Sequence, residues 1–289
     1  MIIIKLFGGL GNQMFQYAFG YSLKKKGEVE VKFDISFYEN QIVHNQIMIT
    51  DVFDLNLDLA NKNDLTNLLG WRKYSLFNKL TKLINLKKKS YIKEDKDKNI
   101  LEITNDFDNK FYDGYWQNWN YFNNYKKDLN KIFTFNKRIK GKHNFWAKSI
   151  LENNSVCVHL RRGDYLSNKK NKKVFHELKL NYFREAFDLI KKNNENLKYF
   201  IFSDDIKYAK KIFEGEKNFI YVDINEGLES FRDMQLMSLG KHIIISNSTF
   251  SWWAAWLGYE EKKNIIVPKL WFKEKMQAHK YYLPGWHVV

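Results

Sequence analysis

Apolar residues run from Ile2 to Ile4 and resume at Leu6, a β-branched stretch that predicts a first buried strand. The period then changes. After Phe7-Gly8-Gly9-Leu10-Gly11-Asn12-Gln13-Met14, the residues Phe15, Ala18, Phe19 and Leu23 share one helical stripe. Glu28 to Phe33 alternates as a second strand ending at Asp34, so the chain opens as a βαβ unit. Residues 35–75 read as polar and irregular. Leu76, Phe77, Leu80, Leu83 and Ile84 then fall at helical spacing among Lys79 and Lys82, ahead of Lys87-Lys88-Lys89. Such a basic amphipathic helix is either a core face with solvated lysines or a surface that lies on an acidic bilayer.

The second half alternates strands with helices. Ser155 to Val158 is a short buried strand, and Leu180, Phe183, Phe187 and Ile190 place a helix over 178–192. Strands follow at Lys198–Phe202, Phe219–Val222, His242–Ile245 and Ile265–Pro268. A helix over Ser230–Leu239 carries Asp233, and another runs through Leu257, with Asn247, Ser248 and Thr249 as its capping residues. The polar stretch from Asn136 to Asn144 is the natural place for a break, which gives two domains, 1–150 and 151–289. No internal repeat is present.

Composition narrows the class. Hydrophobic residues make up 44% and charged residues 28% of 289, the balance of a globular chain. Lone Cys157 excludes an internal disulfide and suits a reducing compartment. The apolar runs are too short for a signal peptide or a membrane span, so a cytoplasmic protein is expected. A net charge of +15 favours anionic partners.

Three stretches can meet such a partner. His159-Leu160-Arg161-Arg162-Gly163-Asp164-Tyr165 follows a strand, where open α/β sheets bind ligands. Arginine's planar fork pairs with phosphate there, although an isolated Arg-Arg pair is also a common solvated or salt-bridged face. The loop at Gly8, Gly9 and Gly11 joins strand to helix and brings backbone N–H groups toward an anion; the alternative is a tight turn with no ligand. It is neither G-x-G-x-x-G nor a P-loop. Ser246-Asn247-Ser248-Thr249-Phe250 is a second strand-to-helix turn of the same kind. Phe111 to Trp119 mixes aromatic rings with amides, which suits sugar recognition, a buried domain edge or stacked single-stranded nucleic acid.

Taken in order, Gly8–Tyr17, Gly114-Tyr115-Trp116-Gln117, His159–Tyr165, Phe202-Ser203-Asp204-Asp205 and Ser246–Trp253 closely resemble the inverting α-1,2-fucosyltransferases of glycosyltransferase family 11. Residues 30–110 carry none of these blocks. The resemblance implies an α/β, GT-B-like architecture, with two Rossmann-like domains facing a central cleft. The N-terminal domain would take the acceptor and the C-terminal one GDP-β-L-fucose, with the last residues packing back on the N-terminal domain. It implies Arg161 on the diphosphate, with Asn12 and Asp164 as its catalytic companions. His159 and Asp233 would recognise guanine, and Ser248, Thr249 and Phe250 would surround the β-phosphate. Gly9, Gly11, Gln13, Arg162, Tyr165, Asp204 and Asp205 complete the substrate-binding set. The resemblance also implies no cofactor and no metal, and adjacent Asp204-Asp205 reads as a turn or capping pair rather than a metal-binding diacid.

The expected reaction moves fucose to O2 of a terminal galactose on a surface-glycan (O-antigen-type) acceptor, lipid-linked at the inner membrane's cytoplasmic face. A different linkage or acceptor keeps the same chemistry. Asp164, Asp113 and the Asp204-Asp205 pair compete as acceptor base, and none is assigned. A nucleic-acid-binding protein is the alternative that the charge and the aromatic clusters raise. It is disfavoured because the aromatic residues of these motifs sit beside glycine, asparagine and serine rather than lysine.

Overall fold

The computed structural model describes residues 1–39, 47–70, 89–95, 107, 109–163, 169–225, 227–260, 262–273 and 281–289. The helical stripe at Leu76 to Ile84 and the site residues Asp164 and Tyr165 lie outside the described residues. The chain divides into two units, Met1–Asn136 and Lys137–Val289.

In the first unit, β1 (Ile2–Lys5) leads through α1 (Leu10–Gly27) to β2 (Val31–Asp34). Then come α2 (Ser36–Glu39), α3 (Ile49–Phe53), α4 (Lys62–Leu69), β3 (Tyr91–Lys93), β4 (Lys110–Asp113) and α5 (Lys126–Ile132). The sheet order is β2-β1-β4-β3, and every pairing is parallel. β1 is covered on both faces, which is why its sequence is nearly all apolar. Ile2, Ile4 and Leu6 pack with Phe19, Leu23 and Trp116, while Ile3 turns the other way onto Leu68 and Phe111. Residues 35–75 are more ordered than their polarity suggests. α4 begins with a capping box in which Asn61 Oδ1 accepts from the N–H groups of Asn63 and Asp64, and Asp64 accepts from that of Asn61.

The second unit starts with α6 (Lys142–Glu152) and β5 (Asn154–Leu160), followed by α7 (Lys169–Val174), α8 (Leu180–Lys191) and β6 (Leu197–Ser203). It continues through α9 (Ile206–Ile212), β7 (Phe219–Tyr221), α10 (Phe231–Ser238), β8 (His242–Ile244), α11 (Thr249–Leu257), β9 (Ile265–Val267) and β10 (His287–Val288). The parallel sheet runs β10-β9-β8-β5-β6-β7, the doubly wound order in which the first strand is central and the chain reverses direction beside it. α8 buries Tyr182, Phe183, Ala186, Phe187 and Ile190 in one core with Val156, Val158, Tyr199 and Ile201. Each such large side chain contributes roughly 1.5–3 kcal/mol.

One boundary differs from the sequence reading. The division falls at Asn136/Lys137 rather than at 150/151, because α6 buries Ala147 and Ile150 and packs on β5 and α10 of the second unit. His287 and Val288 pair with Ile266 and Val267, and Lys269 donates to the Val289 carbonyl, so they finish the second sheet. Among the described residues, no helix is long and apolar enough to cross a membrane.

Candidate functional site

In the second unit the chain reverses direction between β5 and β8, and the two strand ends are stitched together there. Ser246 Oγ donates to the His159 carbonyl at 2.6 Å and accepts from the Arg161 N–H at 3.0 Å. Ser246 therefore sets where Arg161 leaves β5, a role that its place in a capping-type sequence did not reveal. The Arg161 guanidinium, a third exposed, lies 3.1 Å from Asp204 Oδ2. That carboxylate also accepts the backbone N–H groups of Arg162 (2.8 Å) and Gly163 (3.0 Å). A side chain at Gly163 would meet Asp204 Oδ2 at 2.8 Å, so this position needs glycine for closeness.

These contacts engage three residues expected to bind substrate. Asp204 holds the turn after β5. Asp205 caps α9 through the Tyr208 N–H and pairs with Arg162 at 2.9 Å; the Tyr208 N–H and then the Arg162 charge keep its carboxyl below the usual range. Arg162 spends its guanidinium on Asp205 and lies 3.7 Å above the Tyr208 ring. Asp204 among them contacts the Arg161 guanidinium.

His159 is buried, and its ring lies 5.8 Å from that of half-buried Phe250. Burial, and then the neighbouring Arg161 charge, push its pKa down to about 3, so the imidazole is neutral. Among the described residues its Nδ1 is a buried polar atom with no hydrogen-bond partner. Buried Ser248 is the N-cap residue of α11 but gives that helix no side-chain hydrogen bond, and half-buried Thr249 opens it. Asn247, expected as a cap, is instead buried and donates to the carbonyls of His176 and Trp271. Asp233 sits in the first turn of α10 and accepts from Asn225 Nδ2 at 2.6 Å. Desolvation raises its carboxyl to about 7, opposed by the Asn225 hydrogen bond and aided by nearby Asp223.

The first unit builds a comparable place beyond β1 and β4. Gly8 takes φ +80°, and an added Cβ would lie 2.5 Å from Asn12 Nδ2. Exposed Gly9 is the N-cap position of α1, which no side chain caps, and Gly11 is buried in its first turn. Gln13 is turned into the protein. It is fully buried, donates to the Gly8 carbonyl and accepts from the N–H groups of Met48 and Ile49. Asn12 is partly exposed and accepts from Gln117 Nε2 at 2.9 Å. Gln16 ties the Phe7 N–H to the Gly114 carbonyl, and Glu94 accepts from the N–H groups of Tyr115 and Trp116. Trp116 adopts φ +54° to bury its ring against Phe19. The aromatic stretch is thus mainly core, with Tyr115 exposed. Asp113 accepts from the Tyr91 hydroxyl at 2.6 Å and pairs with Lys5. Among the described residues, then, each carboxylate considered as acceptor base already holds a partner.

Comparison with known proteins identifies the family. The Glycosyl transferase family 11 model matches residues 1–289. The chain is 34% identical to an alpha-1,2-colitosyltransferase of Escherichia coli, over 95% of this chain and 93% of that protein. It is 31% identical to the O-antigen biosynthesis glycosyltransferase WbnK of Escherichia coli, over 92% and 93%. In fold it resembles a mutant of Arabidopsis thaliana FUT1 in complex with GDP, with TM-score 0.53, 14% identity, and 91% and 69% of the two chains covered. That likeness fits a GT-B-type α/β protein with two parallel-sheet units.

Proposed function

Because the chain belongs to glycosyl transferase family 11 and is a glycosyltransferase, we propose that it moves L-fucose from GDP-β-L-fucose to O2 of a terminal galactose. The reaction inverts the anomeric centre and needs no metal. The observation that carries this reading is Arg161 at the reversal between β5 and β8, beside the N-terminus of α11 that no side chain caps. As the C1–O bond of the donor breaks, charge builds on the β-phosphate oxygen. Arg161 and the first N–H groups of α11 meet that charge where it develops, so they stabilise the transition state more than the bound donor. Asp204, fixed by two backbone N–H groups, holds the Arg161 guanidinium at the turn. Neutral His159 offers a ring nitrogen to the base rather than a second cation, and Asp233 offers a carboxylate to guanine's N–H groups. In the first unit Asn12, which accepts from Gln117, is a separate candidate for a role in transfer.

The similarity to O-antigen enzymes supports a surface-glycan acceptor, and the lysine excess supports a peripheral contact between this protein and an acidic bilayer that carries it. The 34% identity to a colitosyltransferase supports a second donor reading, GDP-colitose, since colitose is L-fucose lacking the 3-hydroxyl. The test is GDP release in EDTA, from each donor, with and without a β-galactoside such as lactose. Acceptor-dependent release from GDP-fucose, with product fucose on galactose O2, is expected. Release from GDP-colitose alone would replace the donor. Loss of activity in EDTA would overturn the metal-free mechanism.

A further inference from the structure

α6 grips the loop after β7 at two consecutive residues. Lys142 Nζ donates to the Ile224 carbonyl and His143 Nε2 lies 2.6 Å from Asn225 Oδ1. Asn225 Nδ2 in turn donates to Asp233 Oδ1 at 2.6 Å. The chain of bonds has one consistent direction. A carboxylate can only accept, so Asn225 must present its NH2 to Asp233 and its carbonyl to His143, which therefore carries its proton on Nε2. An open hollow of about 440 Å³, lined by Lys142, Asp223, Ile224 and Glu229, borders the same loop.

Resting on the reading of Asp233 as the guanine acceptor, we propose that Asn225, oriented by His143, is a positioning residue that fixes the Asp233 carboxylate for the paired N1–H and N2–H donors of guanine. Asn225 occupies one lone pair of Oδ1 and sets the carboxylate plane. Oδ2 and the rest of Oδ1 remain for the base. The same bond favours the ionised form that guanine needs. The ionisable groups that bond to this loop or flank it are Lys142 and His143 from α6, Asp223 in the loop, Glu229 before α10 and, within α10, Arg232. Arg232 and Lys137 both pair with Glu229, which leaves Asp223 as the close like charge.

The test is calorimetric binding of GDP and of IDP, which lacks the 2-amino group, to the full chain between about pH 5.5 and 8.5, a range that brackets the raised carboxyl. Asn225→Ala should weaken GDP about tenfold, the scale of one lost charged hydrogen bond. It should also reduce the preference for GDP over IDP and move the pH below which GDP binding fails upward. His143→Ala should shift the same readouts in the same direction by less, and His143→Gln, which retains an N–H donor, should restore them. If Asn225→Ala does not fold, the two His143 variants decide on the same criteria. Wild-type protein that does not bind GDP overturns the donor reading and this inference with it. Wild-type protein that binds GDP, beside folded variants with unchanged GDP/IDP preference and pH profile, overturns this inference alone.

Discussion

Replacing Asp204 by alanine separates a residue that positions Arg161 from one that merely decorates the surface. The Asp204 carboxylate receives the Arg162 N–H at 2.8 Å, the Gly163 N–H at 3.0 Å and the Arg161 guanidinium at 3.1 Å. A hydrogen bond to a charged group is worth about 1.5–3 kcal/mol when shielded, and less where water competes. Both backbone donors are at the exposed edge of the turn, so about 1 kcal/mol each is reasonable for them. The ion pair has side chains 33% and 22% exposed, which limits it to roughly 0.5–1 kcal/mol. Asp204→Ala should therefore cost about 2–3 kcal/mol of stability, a fall in Tm of roughly 3–5 °C at this chain length. The catalytic loss should be larger, since misplacing a reacting contact by about 1 Å costs on the order of 100-fold in rate. Asp204→Asn should fall between, because its amide NH2 faces donors where the carboxylate accepted. The assay is GDP release from GDP-fucose with lactose, beside a thermal melt. Asp204→Ala with wild-type kcat/KM and only the lowered Tm would refute the positioning role.

Arg161→Ala should abolish transfer and weaken GDP binding with Tm nearly unchanged; turnover measured at saturating donor decides it. Gly8→Ala should lower kcat at least about tenfold, because a residue with a Cβ is strained at φ +80° and that Cβ would displace Asn12 from Gln117; parallel assays of Asn12→Ala should show a similar loss. Buried His159, with its pKa pushed down to about 3 from 6.5, supplies stability that is complete above about pH 6.5 and drains away as the pH falls toward 3. His159→Gln should flatten that acid limb of a urea-melt series by about 1–3 kcal/mol. Asp233 has the opposite sign. Its carboxyl, raised to about 7, makes folding less favourable as pH rises from about 4 to 7, so Asp233→Asn should raise Tm at about pH 8 while weakening GDP.

What could be read from the sequence, and what could not, follows from the range of the interactions concerned. β1 and β5 are covered on both faces, so Ile2–Ile4 and Val156–Val158 carry their burial in their own composition. The Arg161 and Ser248 turns announce themselves through residue types whose chemistry survives any fold. The division of labour inside those motifs does not, because it depends on partners far along the chain. Gln13 reads as a ligand until Met48 and Ile49 consume its carbonyl, and Asp204-Asp205 reads as a candidate base until two N–H groups and two arginines from 161–163 claim it. α6 was hidden for a different reason. It buries only Ala147 and Ile150 completely, so its apolar period is faint and Asn136–Asn144 resembles a linker. Yet Lys142 and His143, at its start, are the residues that reach Ile224 and Asn225. Polar contacts of this kind leave no periodic trace, since one hydrogen bond between residues 82 apart constrains neither neighbour. The glycosyltransferase chemistry is therefore visible in short motifs, whereas the geometry that tunes it is written in single residues between them.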